Sequence, residues 1–134
     1  MISTDYLRGF IDGEGSFIIT FRNDERYLTG VHIEPHFNIT QKDKSILEKI
    51  RKEIGIGQIY YHKRDDLWHF NILKLKDLLS FVEIIKDGLY VKKDKAQRFY
   101  KCILLMKEKR HLTKDGVSII FNLWTIPKTD AKSG

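Results

Sequence analysis

A chain of 134 residues, 42% of them hydrophobic, is long enough to bury one core and too short for two comfortable ones. Cys102 is its sole cysteine, which excludes a disulfide framework or a cysteine-built zinc site; the longest apolar stretch, 78–85, is broken by Glu83 and too short to span a bilayer. A formal net charge of +6 favours a polyanionic partner without naming one.

The stretch 6–17, YLRGFIDGEGSF, begins as a short helix. Ser3 or Thr4 can cap its start, Asp5 suits the first turn, and Leu7, Phe10 and Ile11 form its apolar face. Gly9 and Gly13 fall one turn apart on one face. Each costs about 1 kcal/mol relative to alanine in a helix, so the pair asks for close approach of another helix. Asp12 and Glu14 stand at the C-terminal end, where the macrodipole disfavours an acid and a cation or proton nearby would be needed. Arg8, four residues from Asp12, is placed to pair with it on the surface.

Residues 16–24 then alternate, with Phe17, Ile19 and Phe21 on one side, as in a half-buried strand. A second strand over 31–41 puts Ile33, Phe37 and Ile39 inward; Pro35 cannot donate to a ladder and implies a bulge or an edge. Residues 43–54 form a helix on the stripe Ile46, Leu47, Ile50 and Ile54, ended by Gly55 and Gly57. Strands over 58–63 and 67–73 flank a turn at Arg64, Asp65 and Asp66, with Ile59, Tyr61, Trp68, Phe70 and Ile72 inward. Helices follow over 76–86 and 93–108, and a last one from Thr113 carries Val117, Ile120, Phe121 and Trp124. Pro127 stops it. The expected organisation is a single domain over 1–127 with a polar tail, 128–134.

This order of helix, two strands, helix, two strands and helices predicts an α+β domain, an αββαββα arrangement with helices on one face of a four-stranded antiparallel sheet. The other face would carry Arg22, His32, Asn38, Gln58, Tyr60, His62, Arg64, His69 and Asn71. Amides, arginines and histidines of this kind read base edges in the major groove, against the plainer alternative of a solvated sheet face. A strand of about nine residues is about 30 Å long, matching about nine base pairs. One subunit could read half of a long site. His32 and His36 share a strand face and could join His62 or His69 at zinc, but no cysteine or nearby aspartate completes a recognisable spacing.

Residues 7–15, LRGFIDGEG, resemble the LAGLIDADG motif of homing endonucleases: Leu7, Gly9, Ile11, Asp12 and Gly15 are identical, and Glu14 replaces the last aspartate. The resemblance implies that two motif helices pack together, with Gly9, Asp12 and Gly13 at the contact. Since the motif occurs once, the partner would be a second copy, giving a homodimer. Two Glu14 carboxylates about 6 Å apart would repel by roughly 3 kcal/mol at an effective dielectric near 20, so a divalent cation is the natural counter-charge. The family implies Glu14 and the Gly13 carbonyl as ligands, with Mg²⁺ suited to oxygen donors. It also implies Gln41 and Lys92 beside the metal, with Lys93 as the adjacent alternative. Some relatives carry a basic residue at the position of Ser45, for which Lys42 or Lys44 would have to substitute.

The implied activity is metal-assisted hydrolysis of one phosphodiester on each strand of double-stranded DNA. Two other readings stay open. One is a non-cleaving intron maturase or DNA-binding regulator; the other is an isolated half of a two-motif enzyme. Abundant Ile and Lys, with Ala only at 96 and 131, would fit an AT-rich, organellar genome and an intracellular protein.

Overall fold

The computed structural model describes residues 2–125; Pro127 and the tail 128–134 lie outside the described residues. Helix α1 (Thr4–Glu14) starts where Ser3 Oγ accepts the Tyr6 N–H at 3.1 Å, satisfying a donor that a first turn leaves open. It passes directly into β1 (Gly15–Asn23), which pairs with β2 (Val31–Gln41). Helix α2 (Lys44–Ile54) is capped by Asp43, which accepts from Ser45 N–H, and closed by Gly55 in the left-handed conformation. Strands β3 (Gln58–His62) and β4 (Leu67–Ile72) follow, then α3 (Leu75–Ile85), α4 (Lys93–Lys107) and α5 (Lys114–Trp124), the last capped by Thr113.

The sheet order is β1-β2-β4-β3, and every neighbouring pair is antiparallel. The α2 crossover sets two hairpins side by side, so β2 and β4 form the centre. Period-two alternation then sorts the faces. Phe17 opposes Phe37, Phe37 opposes Ile72, and Ile39 and Ile59 each oppose Phe70 on the helix-covered side. Phe37 joins the sheet to the helices, with ring centroids 5.1 Å from Phe17 and 4.7 Å from Phe81, while Phe17 lies 5.3 Å from Phe99. Each buried phenylalanine contributes about 1.5–3 kcal/mol. The αββαββα expectation is met. No helix among the described residues is long and apolar enough to cross a membrane.

The β1–β2 ladder runs through Pro35 opposite Ile19 without a bulge, in the half of β2 that β4 does not reach, so the proline lies at a free edge, one of the two expected alternatives. Two details differ from expectation. Tyr61, expected inward, is 45% exposed, because the β3–β4 hairpin runs past its helical cover; its hydroxyl donates to Asp66. Phe121, expected in the buried stripe of α5, is 47% exposed and meets Phe21 edge-on at 5.2 Å, while Ile120 and Gly116 take the buried positions.

Candidate active site and nucleic-acid face

The end of α1 is tied to the segment before α4. Asp12 Oδ2 accepts from the N–H groups of Tyr90 and Val91 at 3.1 and 3.0 Å, and Oδ1 from Lys92 N–H at 2.8 Å. Lys92 Nζ returns a bond of 2.7 Å to the Asp12 carbonyl. The expected Arg8–Asp12 pair is therefore absent; Arg8 donates to the Ile84 carbonyl at 2.9 Å and lies 3.8 Å from Asp5. Three charge-assisted bonds to consecutive N–H groups of the segment that leads into α4 outweigh one surface ion pair. Desolvation pushes the Asp12 carboxyl up, but the Val91, Lys92 and Tyr90 N–H groups and the Lys92 charge together hold it below the ordinary aspartate value.

Glu14, two residues on, is exposed, and its Oε1 accepts from Gln41 Nε2 at 3.0 Å. Gln41 ends β2 and Lys92 immediately precedes α4, so Glu14, Gln41 and Lys92 come together at the C-terminus of α1. Lys93 is the first residue of α4 and is exposed. The donors here are a carboxylate and helix-terminal carbonyls, an all-oxygen set that fits a hard divalent cation and no soft one. Ser45 bonds Asp43, and Lys44 Nζ sits 4.5 Å from the Trp68 ring and 3.6 Å from Glu48. Lys42 remains as the exposed basic residue beside Gln41.

Gly9 and Gly13 face outward, and a methyl group added at either would meet no atom of the described residues within 4 Å. Gly15 is the opposite case. A methyl there would come within 2.8 Å of the Phe37 ring and 3.0 Å of Ile11, so the turn from helix to strand needs glycine for space.

Strand register puts Arg22, His32, Asn38, Gln58, Tyr60, His62, His69 and Asn71 on the face away from the helices, as expected. Arg64 sits in the turn between β3 and β4, at the rim of that face. The residues form two groups. Arg22 contacts His32 Nδ1 at 2.9 Å and Glu34 at 3.5 Å, and Tyr27 stacks on His32 at 4.8 Å. Across β2, β4 and β3, Asn38 Nδ2 donates to Asn71 Oδ1 at 2.5 Å and lies 3.3 Å from His69 Nδ1, while Asn71 Nδ2 donates to Tyr60 Oη at 2.8 Å.

Sequence reasoning treated Asp65 as a turn residue only. Here its carboxylate stands 2.9 Å from His69 Nε2 and 3.3 Å from His62 Nδ1. Desolvation pushes this carboxyl up, but the His69 hydrogen bond, the charges of His69 and His62, and the Leu67 N–H hold it below its ordinary value. The spacing His62-x2-Asp65-x3-His69 across a tight turn was the available signal. His32 and His36 do not join His62 or His69; among the described residues the group close enough to share an ion is His62, Asp65 and His69.

Comparison with known proteins gives consistent matches. The family described as LAGLIDADG endonuclease matches residues 7–104. An uncharacterised 50.9 kDa protein in ND4 intron 1 of Podospora anserina is 34% identical over 117 residues, covering 81% of this chain and 25% of that protein. DNA endonuclease I-CreI of Chlamydomonas reinhardtii is 30% identical over 100 residues, covering 73% of this chain and 60% of its own. The chain thus spans from about a quarter to three fifths of the length of these relatives. Among solved structures, the homing endonuclease I-TnaI superposes with a TM-score of 0.84 at 28% identity, covering 98% of this chain and 95% of its own. I-SmaMI, bound to an uncleaved DNA target in the presence of calcium ions, gives 0.88 at 27% identity, covering 96% of this chain and 46% of its own.

Proposed function

Because the chain belongs to the LAGLIDADG endonuclease family, we propose that it is a site-specific double-strand DNA endonuclease. It acts as a homodimer on a long, roughly palindromic site by Mg²⁺-dependent phosphodiester hydrolysis. One observation carries the reading: Glu14 stands exposed at the end of α1 with Gln41 on one carboxylate oxygen, and Lys92 is bonded to the Asp12 carbonyl two residues before it. The described residues, 2–125, form one such endonuclease domain.

The Glu14 carboxylate and the Gly13 carbonyl would hold Mg²⁺, which when bound supplies a Lewis acid for the scissile phosphate and lowers the pKa of water. Gln41 holds Glu14 in one orientation. Lys92 keeps a positive charge at the helix terminus, where negative charge grows on the phosphate in the transition state. Asp12 fixes Lys92 through its backbone N–H, so the lysine and the acid keep a constant separation. The face of Arg22, His32, Asn38, Gln58, Tyr60, His62, His69 and Asn71, with Arg64 at its rim, reads base edges. Gly9, Gly13 and the Asp12 backbone form the contact with the second copy. The intron-encoded relatives suggest an organellar gene.

Plasmid-library cleavage with Mg²⁺ tests this. The parent chain is expected to linearise a small set of targets, and Glu14→Gln to bind the same DNA in Ca²⁺ without scission. Unaltered cutting by Glu14→Gln would remove Glu14 from the mechanism, and binding without cutting by the parent would favour the maturase or regulator reading. The I-SmaMI match over 46% of its own length supports a second assembly, in which the chain is one half of a two-motif protein. Sedimentation separates the two: a dimer supports the first, a stable monomer the second.

A further inference from the structure

The tip of the β3–β4 hairpin brings together three ligand-bearing side chains that the reading above uses only as polar contacts or not at all. His62 ends β3, Asp65 lies in the turn and His69 is the third residue of β4. One ligand atom from each lies within 4.8 Å of the other two. The turn itself fixes the carboxylate: Asp66 takes the left-handed conformation at φ 58°, and Leu67 N–H donates to Asp65 Oδ1 at 3.1 Å. Tyr60 stacks on the His69 ring at 5.1 Å and 14°, which limits its rotation. His62 Nδ1 is buried and makes no hydrogen bond among the described residues, although Asp65 Oδ1 is 3.3 Å away.

We propose that His62, Asp65 and His69 form a site for a late first-row divalent ion of the Zn²⁺ class, distinct from the oxygen-only site at Glu14. Ligands on a tetrahedral ion with bonds of about 2.1 Å stand about 3.4 Å apart. Asp65 Oδ1 stands 3.3 Å from His62 Nδ1 and Oδ2 2.9 Å from His69 Nε2, and one ligand atom from each residue lies within 4.8 Å of the other two, so a turn of the carboxylate that sets one oxygen between the rings would bring the set toward that spacing. Two imidazoles and one carboxylate favour zinc over magnesium, which strongly prefers oxygen and water. The ion would also give the unpartnered His62 nitrogen a bond.

A ligating histidine donates its other N–H to a neighbouring acceptor, and Asn38 is beside His69 Nδ1 at 3.3 Å. This links the site to the open face. Without the ion, His69 Nε2–H donates to Asp65, Nδ1 accepts from Asn38, Asn38 donates to Asn71, and Asn71 donates to Tyr60 Oη. The tyrosine proton then points outward. With the ion on Nε2 the imidazole proton moves to Nδ1, both amides turn over, and Tyr60 donates inward to Asn71. Tyr60 thereby changes from donor to acceptor on the face, and on the nuclease reading, on which this last step rests, it changes the base it prefers.

Cobalt titration of chelator-treated Glu14→Gln protein, with the oxygen site disabled, tests the site. One Co²⁺ per chain is expected, with the visible absorption of a four-coordinate ion, displaced by Zn²⁺ and not by excess Mg²⁺. Asp65→Asn and His62→Gln should each weaken it at least tenfold, and Asp66→Asn, one residue along the turn, should not. Failure of the Glu14→Gln chain to bind cobalt, or absorption that survives both ligand substitutions, overturns the site. Selection from random DNA in Ca²⁺, with and without Zn²⁺, tests the relay. A changed base at one position per half-site, absent in Tyr60→Phe, is expected. The same preference in both conditions overturns the relay, whereas no selected sequence in either counts against the nuclease reading and leaves the metal site standing.

Discussion

The glycines on the two sides of α1 have opposite surroundings. On the inner face, Leu7 and Ile11 are buried and the helix gives way at Gly15, which lies so close to Phe37 that a methyl group has no room. On the outer face, a methyl group at Gly9 or Gly13 would meet no atom of the described residues within 4 Å, and alanine at either would fit the fold. The inner glycine serves the core; the outer pair costs the fold about 1 kcal/mol each and returns nothing within the chain. A glycine that serves the fold and one that would serve assembly look alike in a sequence. Only the neighbours tell them apart.

Substitutions on the two faces can break that comparison. The largest expected effect is that of Gly9→Leu: on the homodimer reading it forces the motif helices apart, converting a dimer into a monomer in sedimentation and reducing cleavage of a long site at least a hundredfold. Circular dichroism should stay unchanged, since the side chain has space in the isolated chain. A dimer that survives Gly9→Leu with full cutting would show that the outer face is not the contact. Next in size, Gly15→Ala should cost about 1–3 kcal/mol by overpacking against Phe37. Gly9→Ala, measured in denaturant at concentrations where the chain is monomeric, should gain up to about 1 kcal/mol. Equal signs for the two would refute the distinction.

Asp12 sharpens the comparison, because it lies on the same helix and turns inward. Asp12→Asn keeps the shape but loses the charge that three N–H groups point at, an expected cost of about 1–2 kcal/mol. The folded carboxyl is held below its unfolded value, so its contribution is fully present above about pH 4 and is lost as pH falls through the folded value. Thermal unfolding followed from neutral to acid pH should therefore fall for the parent chain. The Asp12→Asn variant should start lower and lose less over that acid window; parallel profiles would mean that the charge of Asp12 contributes nothing.

What was legible in the sequence divides along the same line. The αββαββα order, the strand faces and most of the core followed from local periodicity, because Phe17, Phe37 and Phe70 could point only one way once the alternation was set. The sequence motif points to Glu14 and, through family spacing, to Gln41 and Lys92; Gln41 bonds the Glu14 carboxylate and Lys92 the Asp12 carbonyl, both at the end of α1. Where Asp12 points was not legible. Its partners lie about 80 residues away in segment 90–92, and the nearer Arg8 was the only partner that local spacing could offer. Asp65 was missed for a related reason: a turn residue reaches over two strands only when the turn geometry is known. The exposure of Tyr61 and Phe121 likewise depends on where helical cover ends, which no pattern within one element records.

The smallest expected effect concerns Lys44, which the family comparison left as one of two substitutes for a basic side chain at Ser45. Its ammonium sits over the Trp68 ring at 4.5 Å and near Glu48 at 3.6 Å, on the helix-covered side of the sheet. A lysine held there stabilises the hairpin edge and has little reach left for a phosphate. Lys44→Ala should thus lower stability by about 0.5–1 kcal/mol and leave the cleavage rate of the folded enzyme nearly unchanged. Lys42→Ala, beside Gln41 and exposed, should do the reverse, slowing cleavage without moving the unfolding midpoint. If the two substitutions exchange these effects, the basic group at the active site is Lys44, and the Trp68 contact must be given up when DNA binds.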